Sequence, residues 1–437
     1  MVARMNAAVG AAMLLVGGFA SGAELENFSA STNLDYGYGF DAGESMQGQL
    51  EFVPALEMSL ANRVSLRLSG RLRLDYKDNL EPGEAPLENY TGASEPLTLG
   101  SAGSAELRDA YMELRHSSGQ SRFGKQQIVW GRMDGIKVLD VLNPQDFREF
   151  IIDDFEDSRI SLWSGYFDYT LGDWRAEVAI IPDSSGHTIP RPGAWFELTA
   201  PRFRFGSTDP GVALPTRTDQ PGFSIEETGV GLRLSRFINL LNFSLVAYSG
   251  MDPEPLARVI NASGSQPLLE QYYERRDTLG FSLDYGFGRA VFRAEYAYQP
   301  DRFFNTRWRS NLDAETLDQH RFAIGFDIEG PLALFANLQF LVDHVMEAPA
   351  ALVRPAQDRL ATFFLRRTFL YETLTFEARH YQSFTDDDQL SSLHIDYSLT
   401  EDLTLTFAAQ LFNGTQTGLF GQFSEQDRLT LGLQHNF

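Results

Sequence analysis

The chain ends on Arg428-Leu429-Thr430-Leu431-Gly432-Leu433-Gln434-His435-Asn436-Phe437. Leu429, Leu431, Leu433, His435 and Phe437 take every second position, which places them on one face of a β-strand. The same period runs upstream. Leu403, Leu405, Phe407, Ala409 and Leu411 oppose Thr404, Thr406 and Gln410, and Leu393, Ile395 and Tyr397 oppose His394, Asp396 and Ser398. Phe322, Ile324, Phe326 and Ile328 stand against Arg321, Gly325, Asp327 and Glu329. Leu334, Ala336, Leu338, Phe340 and Val342 stand against Asn337, Gln339 and Asp343, and Ala290, Phe292, Ala294, Tyr296 and Tyr298 against Arg293, Glu295 and Gln299. A β-sandwich alternates in the same way with its apolar face inside, so the period alone does not say which face meets water.

The two ends of the chain separate these readings. Residues 1–23 carry Arg4, an apolar run from Ala7 to Ala20 broken only by Gly10, Gly17 and Gly18, and then Ser21, Gly22 and Ala23. This layout predicts a signal peptide cleaved near Ala23, with the mature chain starting at Glu24. No later stretch approaches the ~20 apolar residues of a membrane helix, so any membrane span is made of strands. On an exported chain, a closing strand that ends on an aromatic residue resembles the recognition signal of outer-membrane barrels. The expected fold is all-β: a transmembrane antiparallel up-and-down β-barrel over residues 24–437, in the outer membrane of a Gram-negative bacterium. Its expected surroundings are membrane lipid and lipopolysaccharide, and its expected assembly partner is the barrel assembly machinery, acting through Phe437.

The connections agree with this topology, because an outer-membrane barrel alternates short periplasmic turns with longer outer loops. Short turns fall at Ala61-Asn62-Arg63, Ser117-Ser118-Gly119, Leu171-Gly172-Asp173, Gly286-Phe287-Gly288, Gly330-Pro331 and Thr400-Glu401-Asp402. Long polar links fall around residues 76–104, 131–158, 183–223, 251–274, 300–318 and 345–357. Counting back from the last strand predicts eighteen strands, the first near Phe28 to Tyr36. Sixteen is the alternative, since the segments near Phe123 and Phe363 and the first strand alternate poorly.

Composition narrows the function classes. Aromatic residues make up 13% of the chain, with 34 Phe and 16 Tyr, as two interfacial girdles require. Cysteine is absent, which removes disulfides and thiolate chemistry. The net charge is −23, and −24 once a leader charged only at Arg4 is removed, so nucleic acid is not an expected partner. His-Glu-x-x-His, Gly-x-Ser-x-Gly and phosphate-binding glycine loops are all missing, and the seven His are scattered. No cofactor is expected, and the chain reads as a non-enzyme.

The link from Arg132 to Ser158 differs from the others. Ile136, Leu139 and Leu142, then Phe147, Phe150 and Ile151, are spaced as on a helix and divided by Pro144, with Asn143 placed to cap a short helix. A loop with its own apolar face must bury that face, and the barrel mouth is the available place. The expectation is therefore a partly helical loop folded inward as a plug or constriction.

Here the chain also resembles a family. Gly124-Lys125-Gln126-Gln127-Ile128-Val129-Trp130-Gly131-Arg132, Asp134-Gly135, Val138-Leu139-Asp140-Val141 and Asn143-Pro144-Gln145-Asp146-Phe147-Arg148-Glu149-Phe150 look like the signature of an uncharacterised family of proteobacterial porin-like outer-membrane proteins, carried as a domain of unknown function. The resemblance implies a barrel and, from the genomic neighbours of such proteins, a possible lipid-exporter partner. It implies no substrate.

The charges of this link suggest what it does. Asp134, Asp140, Asp146, Glu149, Asp153, Asp154, Glu156 and Asp157 face Arg132, Lys137 and Arg148. They fit a structural plug, a selectivity constriction or, at Asp153, Asp154, Glu156 and Asp157, a calcium site whose spacing is not that of an EF-hand. On the third strand Arg63, Arg67, Arg71 and Arg73 oppose Val64, Leu66, Leu68, Leu72 and Leu74 and should face the lumen, since a lipid-facing Arg costs about 2–4 kcal/mol near the midplane. Such a ladder either guides anions or pairs with inward acids, and the abundance of acids favours pairing. The leading expectation is a passive channel for small or hydrophobic solutes, with pore residues Arg67, Arg71, Arg73, Arg132, Asp134, Lys137, Asp140, Asp146, Arg148 and Glu149. Two alternatives are an outer-membrane component of a lipid or hydrocarbon export system and an outer-membrane lipid hydrolase.

Overall fold

The computed structural model describes residues 24–437 except 81–88, 153–154, 208–215, 220–221, 262–266 and 309–310. The leader and the acids Asp153 and Asp154 lie outside the described residues. Among those described, eighteen strands form one antiparallel barrel. They are β1 (Glu24–Gly39), β2 (Glu44–Ala61), β3 (Val64–Asp75), β4 (Gly103–His116), β5 (Gly119–Gln126), β6 (Leu162–Leu171), β7 (Trp174–Ile181), β8 (Gly229–Ile238) and β9 (Leu241–Met251). The second half is β10 (Arg275–Phe287), β11 (Ala290–Trp308), β12 (Asn311–Glu329), β13 (Leu334–Val345), β14 (Gln357–Phe369), β15 (Leu374–Ser383), β16 (Asp388–Ser398), β17 (Leu403–Asn413) and β18 (Arg428–Asn436). β1 pairs with β18 from Ser31↔Asn436 to Gly39↔Arg428, which closes the sheet and leaves no free edge.

The alternation read from the sequence is the alternation of the wall. Leu34, Leu245, Leu338 and Leu431 face outward and are exposed, while Glu295, Gln299, Gln319 and Gln339 face inward and are buried. A carboxylate and three amides buried on the inner face of a closed sheet demand polar company inside. Exposed rings such as Tyr285, Phe287, Phe369 and Tyr397 stand on the outer face near the short-turn rim.

Of several register shifts between barrel strands, two bear on the lumen and its rim. On β4 the pairing steps from Ser69↔Asp109 to Gly70↔Leu107, so Arg108 is bulged. That extra residue lets the adjacent Arg108 and Asp109 both reach inner-wall partners. On β11 the register shifts between Gln299 and Arg302, with Asp301 at φ 46°. Beyond that shift β11 and β12 stay paired to Trp308↔Asn311. The expected polar link at 300–318 is thus a hairpin extension of two strands, and the bulge is what interrupts its period in the sequence.

The long connections gather at one end. L2 (residues 76–102), L3 (127–161), L4 (182–228), L5 (252–274) and L9 (414–427) carry most of the chain outside the barrel strands. Short strands Leu256–Asn261 and Pro267–Tyr272 of L5, with Thr216–Thr218 of L4, add a small three-stranded sheet there.

Candidate functional site

L3 lies against the inner wall. Ile128, Trp130, Met133, Ile136, Val138, Leu139, Val141 and Leu142 share one buried core with Leu162, Tyr166, Ala179, Ile181, Val246, Tyr248, Ala297, Ala323 and Leu341 of β6, β7, β9 and β11–β13. Small wall residues make the seat. A Cβ at Gly231 would stand 2.6 Å from the Trp130 ring, one at Gly280 2.5 Å from Leu139 and one at Gly325 3.2 Å from Met133. Each large apolar side chain buried this way contributes about 1.5–3 kcal/mol.

L3 contains little regular structure, so its backbone groups need partners elsewhere. The wall supplies them. The Glu295 carboxylate of β11 accepts the N–H groups of Arg132 and, at 3.1 Å, Leu139. Guanidinium groups of Arg293, Arg321 and Arg276 donate to the carbonyls of Arg132, Lys137 and Val141 at 3.2, 2.6 and 3.1 Å. Asn143 joins the two limbs of the loop, accepting from the Ile128 N–H at 2.9 Å and donating to the Ile160 carbonyl at 2.7 Å. It is not a helix cap. Among the described residues the helix in this loop is the single turn Phe155–Ser158, and the segment after Asn143 is not helical because its backbone groups pair with Ser158, Ile160 and Thr188 of other loop limbs.

Pro144 divides two cores. Residues after it enter a second cluster at the long-loop mouth, where Phe150 meets Phe420 and Phe423 of L9, Phe196 of L4, Phe412, Met46 and Leu390. Phe196, Phe420 and Phe423 are fully buried, so the aromatic residues of the proline-rich L4 include at least one core residue. Gln422 of L9 accepts the N–H groups of Thr199 and Ala200, and Asp388 accepts those of Phe420 and Gly421, so L4, L9 and the barrel rim are stitched together.

L3 and L4 meet along a short bridge. Phe147 N–H donates to the Thr188 carbonyl at 2.8 Å, Thr188 N–H donates to Gln145 at 2.9 Å, and Gln145 N–H donates to His187 Nδ1 at 2.9 Å. Burial pushes the His187 imidazole down to about 4, which keeps it neutral and its Nδ1 available as an acceptor near pH 7. Asp183 of L4 ties in L2, accepting from Thr91 and Ser94 hydroxyls.

The residues expected to line the pore divide into four groups. Asp140 pairs with Arg159 at 2.8 Å, Asp146 with Arg148, and the Lys137 ammonium with the Gln145 side chain, all within L3. Burial works to raise the Asp146 carboxyl, and the Arg148 guanidinium overrides it and holds it well below the usual range. Burial pushes Lys137 down to about 8. Arg132 joins the wall through its backbone and stands 3.8 Å from Asp284, while Asp134 is exposed to the lumen.

Three arginines of the ladder pair with inward acids, and Arg63 lies in the exposed turn before the strand and not on it. Arg67 meets Glu57 at 2.8 Å, Arg71 meets Glu106 at 2.6 Å and Arg73 meets Glu51 at 3.3 Å. Arg71 and Arg108 also donate to the Asp157 carbonyl, which ties the end of L3 to β3 and β4. Of the acids considered for calcium, Glu156 and Asp157 are described, and Asp157 stands 3.7 Å from Arg108.

Glu149 crosses the lumen. Its carboxylate takes both terminal nitrogens of Arg428 on β18 at 3.2 Å, and both side chains are buried. Arg428 further donates to Gln410 at 2.8 Å and Gln47 at 3.3 Å, and its guanidinium lies over the Phe196 ring. Sequence reading did not single out Arg428, Glu295, Arg276, Arg293 or Arg321. Their phase on the strands marks them as inward, but their partners lie between 135 and 279 residues away.

L3 therefore fills one side of the lumen. The other side holds a cavity of about 490 Å³ between Glu149, Ile151 and Ile152 of L3 and the inner faces of β1–β3 and β14–β18. Its walls are mostly polar, with Ser392, Thr406, Gln410 and Thr430 among the charged groups. Its outer end adjoins the aromatic cluster through Tyr381 and Leu390.

Solved barrels share this architecture at very low identity. The chain is similar to OccK2 (OpdF) of Pseudomonas aeruginosa, solved in complex with glucuronate, with a TM-score of 0.53 and 10% identity over 96% of this chain and 99% of that one. It is similar to OccAB1 of Acinetobacter baumannii at 0.52 and 9%, over 95% and 96%. It is similar to OccK5 (OpdH) of Pseudomonas aeruginosa at 0.51 and 9%, over 96% and 99%. These likenesses show that the chain has the barrel fold of outer-membrane porins. No curated protein matches the sequence. The family described as "Protein of unknown function (DUF1302)" matches residues 40–388, most of the chain, and the protein belongs to that family.

Proposed function

We propose that the protein is an outer-membrane channel that passes small polar solutes through the half of the lumen that L3 leaves open. The observation that carries this reading is the cavity of about 490 Å³, bounded by one fastened loop and a polar wall. A lumen meant for greasy solutes would present apolar surface to them. Here the apolar residues of L3 before Pro144 are turned to the seat, and the open side, although Ile151, Ile152 and Leu390 reach it, is lined mostly by hydroxyls, amides and charges.

The polar wall gives water and hydrated solutes a continuous set of hydrogen-bond partners, and its charges tune which of them enter. The aromatic cluster of L4 and L9 sits beside the outer end and limits the aperture there. Purified protein reconstituted in a planar bilayer is expected to give stepwise current increments in potassium chloride. Absence of any step from protein that migrates as a folded barrel would contradict the reading.

A further inference from the structure

The inner wall of the open half carries one row of side chains at a single level. Asp35 on β1 pairs with Gly432 on β18, Gly432 with Thr406 on β17, and Thr406 with Asp396 on β16. Asp35, Thr406 and Asp396 line the cavity. With neighbouring strands about 4.8 Å apart, the two carboxylates stand on a rung about 14 Å wide. The middle of the rung is a glycine, and a Cβ there would lie 2.5 Å from Asp35 Oδ1. Gly432 therefore leaves Asp35 the space it occupies and keeps the passage wide.

The charges around this rung do not cancel. Among the described residues six carboxylates line the cavity against four guanidinium groups, and one of the six, Asp157, is met at 3.7 Å by Arg108 from outside the lining. Glu51 is engaged by Arg73 and Glu149 by Arg428. Glu377 is shared between Arg379 at 3.3 Å and Arg366 at 3.9 Å. On the rung itself Asp396 has the Thr406 hydroxyl at 2.8 Å and the His394 imidazole at 3.2 Å. Asp35 forms no ion pair with any described residue.

Carboxylates that line a pore favour cations through the field they set up. We propose that the rung Asp35–Gly432–Thr406–Asp396 makes this passage prefer cations, with Asp35 and Asp396 as the specificity-determining residues. The inference rests on the channel reading above and names the solute class it takes: small solutes bearing net positive charge. The anions that an arginine-lined wall suggests are disfavoured, because those arginines are already held by protein carboxylates.

The test is the reversal potential of the reconstituted protein under a potassium chloride gradient. Wild type should be cation-preferring. Asp35→Asn and Asp396→Asn should each lower the cation-to-anion permeability ratio, by about threefold for the loss of one screened charge. Asp35→Lys should lower it further. Stepwise current with an anion-preferring wild type, or with a ratio unchanged in both asparagine variants, overturns the rung while leaving the channel reading intact. No steps from folded wild type overturns the channel reading itself. Should one variant fail to fold, the sign of the wild-type potential and the other variant still decide.

Discussion

Removing residues 135–152 from L3, with the cut ends joined by a short glycine linker, is expected to raise single-channel conductance several-fold while the barrel remains folded. The segment carries Ile136, Val138, Leu139, Val141 and Leu142 of the seated core, and its removal frees the side of the lumen they occupy. It does not touch β5 or β6, which pair with each other from Gly119↔Tyr169 to Gln126↔Leu162. The strand ladder therefore survives the deletion.

Stability should fall, since the deletion uncovers the seat, leaves Arg276 and Arg321 without their backbone partners and leaves Glu295 with the Arg132 N–H alone. Water entering the widened lumen solvates them and moderates the cost. Conductance measured in planar bilayers checks the prediction. Equal conductance in the deleted and intact proteins would mean that L3 does not obstruct the path.

Arg428→Met is expected to destabilise the protein by about 3–5 kcal/mol, the cost of leaving one member of a buried ion pair without its partner. The stranded group is Glu149, buried and held by both terminal nitrogens of Arg428. Gln410 and Gln47 lose a donor, and Phe196 loses the cation over its ring. The double variant with Glu149→Gln should recover much of the loss, because a neutral amide is far cheaper to bury than a carboxylate.

The loss also has a local consequence. Glu149 sits one residue before Phe150, so freeing it loosens the limb of L3 that enters the mouth cluster. Urea unfolding followed by electrophoretic mobility, with current noise as the second readout, measures both effects. A cycle in which the two single changes add independently would show that the pair does not fasten the loop.

Much of this architecture was legible in the sequence. The eighteen strands followed from period-two segments such as Leu403–Leu411 and Phe322–Ile328, because one face of each is read against an apolar surround and the other against a polar one. The inward loop was legible too, since Ile136, Leu139 and Leu142 have no other place to be buried.

Three features were not, each for a physical reason. The hairpin beyond Gln299 was hidden by a bulge that breaks the period. The helix expected after Asn143 was displaced by long-range hydrogen bonds, which local spacing does not encode. The pairing of Glu149 with Arg428 joins a loop to the last strand, and only closure of the barrel brings them together.

The account stands on a lumen divided into a filled side and an open side, and the absence of native cysteine allows that division to be read directly. Single cysteines introduced at Ser392, on the open side, and at Ala297, beneath L3, are exposed to a charged water-soluble methanethiosulfonate reagent while current is recorded. The account predicts rapid modification with loss of current at Ser392→Cys and protection at Ala297→Cys. Equal reactivity at the two positions, or modification at Ala297→Cys alone, would contradict it.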